Sequence, residues 1–147
     1  MKSSFKALSL QTKDQLDIID ITNQIKEFVE QSNIENGIVN IQTLHTTATV
    51  IINENEPLLL KDFKDHLQKI APNNAKYNHD NFEIRTVNMC EDECANGHAH
   101  CKALHLTPSV CLNIKEKKLQ LGTWQRIMFI ELDQARPRKV QVQILGE

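Results

Sequence analysis

The chain has 147 residues, 40% of them apolar, and 17 basic against 19 acidic side chains for a formal charge of -2. That length supports one core but not two domains, the composition is that of a folded chain, and the scattered Lys and Arg offer no basic tract to a nucleic-acid backbone. Met1-Lys2-Ser3-Ser4-Phe5-Lys6 lacks the apolar centre of a signal peptide and no apolar run reaches membrane length, so a cytoplasmic protein with neither nucleic acid nor membrane as partner is expected.

Phe5 to Gln11 alternates as a strand and runs into a turn at Lys13-Asp14-Gln15. Ile21, Ile25, Phe28 and Val29 then recur at helical spacing behind Asp20 or Thr22 as a cap, and this helix should end before Asn36-Gly37. From Ile38 to Asn53 the chain is rich in Ile, Val and Thr. Its alternation puts Val39, Ile41, Thr43, His45, Thr47, Thr49 and Ile51 on one face of a long strand, or of two strands joined by a bend. Pro57 opens a second helix whose stripe is Leu59, Phe63, Leu67 and Ile70, with Pro72 beyond its end and His66 beside the stripe as a locally bonded boundary residue.

Residues 73–80 read as a polar turn, Phe82 to Val87 as a short strand, and Cys90 to Gly97 as a loop with a helical turn after His98. Beyond Pro108, Val110, Leu112 and Ile114 alternate. Leu119, Leu121, Thr123, Gln125, Ile127, Phe129 and Glu131 then share one face of a long strand. Val140, Val142 and Ile144 alternate with polar residues, the pattern of a half-buried antiparallel strand. Strands at both ends with two main helices between them predict a single α+β domain over residues 1–147 with packed antiparallel sheets.

Imidazoles recur in His45-Thr46-Thr47-Ala48, Tyr77-Asn78-His79-Asp80 and Asn96-Gly97-His98-Ala99-His100, beside hydroxyls, carboxylates and amides. A fold that brings these segments together makes a divalent metal site, because neutral imidazole is a good ligand for zinc and similar ions. Cys90, Cys94, Cys101 and Cys111 form a second cluster. Cys90 and Cys94 followed by His98 and His100 suggest a structural zinc or, in a hyperthermophilic source, a Cys90–Cys94 disulfide. The alternative is four reduced thiols, with Cys111 behaving as a small buried hydrophobe in its strand.

His45-Thr46-Thr47-Ala48, Asn53-Glu54, Tyr77-x-His79-Asp80, Ala99-His100-x-Lys102-Ala103, Leu121-Gly122-Thr123-Trp124-Gln125, Glu131 and Arg136-Pro137-Arg138 together resemble the signature of the YjbQ family, also called secondary thiamine-phosphate synthases. The resemblance spans nearly the whole chain. It implies an antiparallel β-sandwich with two main helices, a homotrimer, and a metal ion near the histidines. The implied activity joins a pyrimidine methyl diphosphate to a thiazole phosphate, a weak transferase reaction beside an unsettled main role. The chain departs from the family pattern at Leu106-Thr107-Pro108-Ser109, where a glycine is usual, at Asn113, Lys117 and Arg126, and in the Cys90 to Cys94 loop. These departures bear on substrate choice more than on fold.

On these motifs His45, His79 and His100 are the expected metal ligands, for zinc or, in catalysis, magnesium, while Glu54 and Asp80 orient their rings. Glu131, as general acid or base, shares a strand face with Thr123 and Gln125, and the three would orient a pyrimidine ring or a water. Trp124 points the other way, toward packing. Arg136 and Arg138 would clamp phosphate oxygens of a small phosphorylated metabolite, with Thr46 and Thr47 adding hydroxyl contacts. Three functions fit these residues: the transferase, a metal-dependent hydrolase acting through a bound water, and a non-catalytic trimeric metabolite-binding protein.

Overall fold

The β-branched, alternating segments form eight strands and the periodic segments three helices in the computed structural model, which describes residues 1–147. In chain order these are β1 (Lys2–Gln11), β2 (Ile18–Asp20), α1 (Thr22–Gln31), β3 (Gly37–Thr43), β4 (Ala48–Asn53), α2 (Pro57–Ile70), a 3-10 turn (Asn78–Asp80) and α3 (Gly97–Ala103). They continue with β5 (Ser109–Lys115), β6 (Lys118–Leu119), β7 (Arg126–Glu131) and β8 (Pro137–Gly146). The fold is α+β, as expected. No helix is long and apolar enough to cross a membrane.

Two antiparallel sheets result, one ordered β1-β8-β3-β5-β6 and the other β2-β7-β4. Their inner faces share one core: Leu8 and Leu10 of β1, Val39 and Ile41 of β3, and Val140, Val142 and Ile144 of β8 meet Val50 of β4 and Ile127 and Phe129 of β7. Ile25, Phe28 and Val29 of α1 complete it. Ile130 faces the other way and packs with Leu67 of α2 and Ala99 of α3 in a second, smaller cluster. The small sheet is therefore covered on both faces, and β7 is buried from Ile127 to Glu131 with no polar alternation.

Several strand expectations are corrected by this layering. The Ile38–Asn53 segment takes the second of its two expected forms, two strands joined by a bend at residues 44–47, but its halves enter different sheets, so Val39 and Ile51 do not share a continuous face. The run from Leu119 to Glu131 is likewise interrupted: residues 120–125 form a turn between β6 and β7, closed by Gln125 N–H to the Gly122 carbonyl at 3.1 Å. Phe82 to Val87 is a chain of turns rather than a strand, because its amides bond to nearby Asp80 and Asn81 carbonyls instead of a ladder. Cys111 is exposed on β5, not buried.

The helix ends follow local chemistry. Asp20 Oδ1 accepts from Thr22 N–H at 2.9 Å just before α1, one residue ahead of the usual cap position at Ile21. Glu56 caps α2 by accepting from Leu58 and Leu59 N–H at 3.0 and 2.8 Å, and Pro57 occupies the first turn, where no intrahelical donor is needed. Of the apolar stripe on α2 only Leu67 is fully buried.

Candidate functional site

The bend between β3 and β4, the 3-10 turn and α3 converge on one polar cavity of about 670 Å³. His45, Thr46 and Thr47 enter it from the bend, His79 from the turn, His100 from α3, and Arg136 and Arg138 from the start of β8. A narrower, more apolar groove of about 390 Å³ shares His45, Thr46 and His100 with it and continues between Leu104 and Pro108.

Two of the imidazoles are biased toward the neutral form. Burial pushes the pKa of His45 down, and the Arg138 charge adds to this. Burial also lowers that of His100, reinforced by the nearby His79 ring. The His79 and His100 rings meet edge to face with centroids 4.6 Å apart, and His79 Nε2 is buried without any partner. His45 Nε2, by contrast, accepts the Lys139 N–H at 2.9 Å.

Two of the three expected ligands are thus adjacent imidazoles, with His79 Nε2 unclaimed by any protein group. The third, His45, spends Nε2 on a backbone amide, and no three His, Cys, Asp or Glu side chains are gathered closely enough for one ion. Nor do Cys90, Cys94 and His98 gather around a zinc. Cys90 donates to Glu93, Cys94 accepts from Arg136, and His98 Nδ1 faces Lys102 and Gln15 at 3.4 and 3.3 Å. All four thiols are free.

Glu131 departs from the expected role of acid or base. It is fully buried, and both of its oxygens are committed. Oε2 accepts from Arg138 Nε at 2.6 Å and from the Thr12 hydroxyl at 3.0 Å, while Oε1 accepts from Arg138 Nη2 and from Asp133 N–H. Arg138 completes this cluster by donating to the Thr47 hydroxyl at 3.0 Å. A bidentate, dry pair of this kind fixes geometry and leaves no lone pair for proton transfer.

Arg136 is the less committed arginine. Its Nη2 bonds Asp133 at 2.6 Å and reaches Cys94 Sγ at 3.6 Å, but its Nε–H has no partner.

Asp80 does not orient an imidazole either. Its Oδ1 accepts from the N–H groups of Asn96 and Gly97 at 3.0 and 2.8 Å, tying the 3-10 turn to the first turn of α3. Gly97 is required there because a Cβ would lie 2.5 Å from that of Tyr77. α3 then divides its side chains. Two residues along a helix diverge by about 200°, so His98 and Lys102 face inward while His100 faces the cavity. Fully buried Lys102 donates to the Ala71 carbonyl at 2.7 Å and to Asn73 Oδ1 at 2.9 Å, binding α3 to the end of α2.

Thr123, Gln125 and Glu54 are not in this cavity. β4 and β7 pair from Ala48 opposite Glu131 to Asn53 opposite Arg126, which sets the two ends of the ladder about 17 Å apart. Glu54 and Thr123 line a separate hollow at the far end with exposed Trp124, and Gln125 Oε1 is taken by Gly122 N–H. Trp124 therefore packs against no core within the chain.

Sequence reasoning missed Arg85, Asn96 and Asp133. Arg85 fastens the loop that walls the cavity, donating to the carbonyls of His79, Val87 and Asn88 and to Glu93. Its sequence setting carries no signal of that role. Asn96 opens the third histidine motif but was given no role there, and Asp133, between Glu131 and Arg136, was not singled out.

Residues 6–147 match the family model described as UPF0047 protein YjbQ-like. A UPF0047 protein of Archaeoglobus fulgidus is 39% identical over 94% of this chain and 98% of its own length. The UPF0047 protein YugU of Bacillus subtilis is 30% identical over 96% and 98%. The crystal structure of a YbjQ-like protein of unknown function from Sulfolobus solfataricus superposes with a TM-score of 0.89 at 33% identity over 99% of each chain. A YjbQ/UPF0047 family protein of Clostridium acetobutylicum gives 0.83 at 38% identity over 95% and 99%.

Proposed function

The chain belongs to the UPF0047 protein YjbQ-like family, and from that premise we propose that the histidine and arginine cavity binds a small phosphorylated metabolite and acts on it as a transferase of the thiamine-phosphate synthase kind. One observation carries this reading: His79 Nε2 and Arg136 Nε, each buried and without a partner, belong to residues that line the same polar cavity. Unpaired buried polar atoms are costly and mark sites completed by something else. An anion with several acceptor oxygens satisfies the Arg136 N–H, while His79 Nε2 serves either as an N–H to that anion or, deprotonated, as a lone pair to a metal ion.

In this reaction a carbon–nitrogen bond forms between the pyrimidine methylene and the thiazole nitrogen as the diphosphate leaves. Arg136 and the hydroxyls of Thr46 and Thr47 take the leaving oxygens, and Arg138, locked by Glu131, holds the Thr47 hydroxyl in place at the cavity wall. A divalent ion, zinc by preference for imidazole, is proposed on His79 and His100, and when bound it supplies further neutralisation of phosphate charge. Assembly as a homotrimer in the cytoplasm belongs to the same proposal, and light scattering of the purified chain measures the assembly.

A metabolite-binding protein without turnover is the second reading. It is favoured by the commitment of both Glu131 oxygens, which leaves the cavity without its expected acid or base.

The deciding experiment supplies the pyrimidine methyl diphosphate and thiazole phosphate and follows pyrophosphate release, with calorimetric titration of each compound alongside. The transferase reading expects turnover that falls at least about 100-fold in His79→Ala and Arg136→Ala. Binding without turnover establishes the second reading, and neither binding nor turnover overturns both.

A further inference from the structure

The loop fastened by Arg85 carries two thiols in unlike surroundings, and both line the cavity. Cys90 is exposed and donates its S–H to Glu93 Oε2 at 3.3 Å, and that contact pushes its pKa up. Glu93 returns its own N–H to the Cys90 carbonyl at 3.2 Å, so the chain turns back on itself between the two cysteines. Cys94, half-buried, instead accepts from the Arg136 guanidinium at 3.6 Å. The Cys94 sulfur therefore faces the cavity beside a guanidinium, the kind of position in which reactive cysteines occur. Two residues on, Asn96 is only 8% exposed and lines the same cavity. Its amide N–H donates to Asp133, yet its Oδ1 has no partner. That oxygen is an unused acceptor for a ligand O–H.

We propose that Cys94 is a site of oxidation by hydrogen peroxide and that Cys90 resolves the product into a disulfide across the cavity wall. The Cys94 sulfur attacks one peroxide oxygen, whose O–H is accepted by Asn96 Oδ1. The O–O bond breaks, one water leaves, and the thiol, oxidised by two electrons, becomes a sulfenic acid. The Cys90 sulfur then attacks the sulfenic sulfur. Glu93 takes the Cys90 proton and passes it to the departing hydroxyl, so a second water is released as the S–S bond forms. Two glutathione thiols reverse the step by exchange, giving glutathione disulfide. Neither Cys111, exposed on β5, nor Cys101 on α3 accepts a guanidinium N–H on its sulfur as Cys94 does.

This inference goes beyond the phosphate reading and does not depend on it, because its test contains no phosphorylated ligand. The full chain is treated with hydrogen peroxide, trapped with dimedone, and mapped by peptide mass spectrometry. We expect loss of two hydrogens within the peptide holding Cys90 and Cys94, restored by glutathione. In Cys90→Ser the dimedone adduct should accumulate on Cys94. In Cys94→Ser and Cys94→Ala total labelling should slow by about tenfold or more. Labelling of Cys101 or Cys111 as fast as Cys94, or an untreated-like Cys90 to Cys94 peptide after oxidation, overturns the proposal. Since the wild-type chain alone yields the disulfide reading, a variant that fails to fold does not remove the test.

Discussion

β4 and β7 are paired along their whole length, yet their two ends could hardly differ more. At the Ala48–Glu131 end, charged groups are buried and matched: Glu131 is 0% and Asp133 5% exposed, and Arg138 joins them in a closed set of hydrogen bonds. At the Asn53–Arg126 end the Asp20–Arg126 pair is partly exposed, and Trp124 is 71% exposed. The same ladder thus presents a rigid, dry foundation to the cavity and an open, hydrated surface to solvent. Stability should be concentrated at the first end, while the second is free to change.

The comparison breaks most visibly at Glu131. Glu131→Gln leaves Arg138 buried beside a neutral amide, and urea unfolding should show a loss of about 3–5 kcal/mol. A loss below 1 kcal/mol would mean that the pair is not dry. Asp80→Ala removes the acceptor that joins the 3-10 turn to α3 and should lower stability by about 1–2 kcal/mol. It should also loosen the His79–His100 contact, seen as broadened imidazole resonances.

At the open end the effects are smaller. Burial pushes the Asp20 carboxyl up, but its hydrogen bonds with Arg126, Thr22 and Asn55 outweigh that and hold it at about 2, against an ordinary 3.8. Because the folded value is the lower one, this stabilisation is complete above the ordinary value and is lost as pH falls from 3.8 through about 2. With the pair partly solvated it is on the order of 1 kcal/mol, and an acid titration of Asp20→Asn should lack that component. Trp124→Ala should change stability by less than about 0.5 kcal/mol. A larger thermal shift would show that the open end is covered in solution, which sharpens the contrast into one between a closed end and an assembly face.

The layered fold was legible wherever a segment had one wet face. β8 alternated as read, and α1 and α2 followed their apolar spacing with Pro57 at the start of the second helix. β7 was misjudged because it has no wet face: alternation was extended backward from it through Leu121, although residues 120–125 turn. The histidine cavity was legible because its motifs carry distinctive side chains, and His45, His79 and His100 do line it together. Which end of a strand a residue occupies left no trace in periodicity, so Thr123, Gln125 and Glu54 were placed with residues a strand length away. Arg85 was invisible for a different reason: its partners are mostly backbone carbonyls, which any sequence supplies.

The pairing of β1 with β8, from Lys2 opposite Gly146 to Gln11 opposite Pro137, makes β1 wait for a strand that begins at Pro137. At about 5–20 residues per second that delay is on the order of ten seconds during translation. Throughout it, Leu8 and Leu10 have no strand to pair with, because β8 is the only neighbour of β1 in the sheet. High contact order of this kind slows folding, and the nascent N-terminal strand is the segment on which a chaperone would be expected to act.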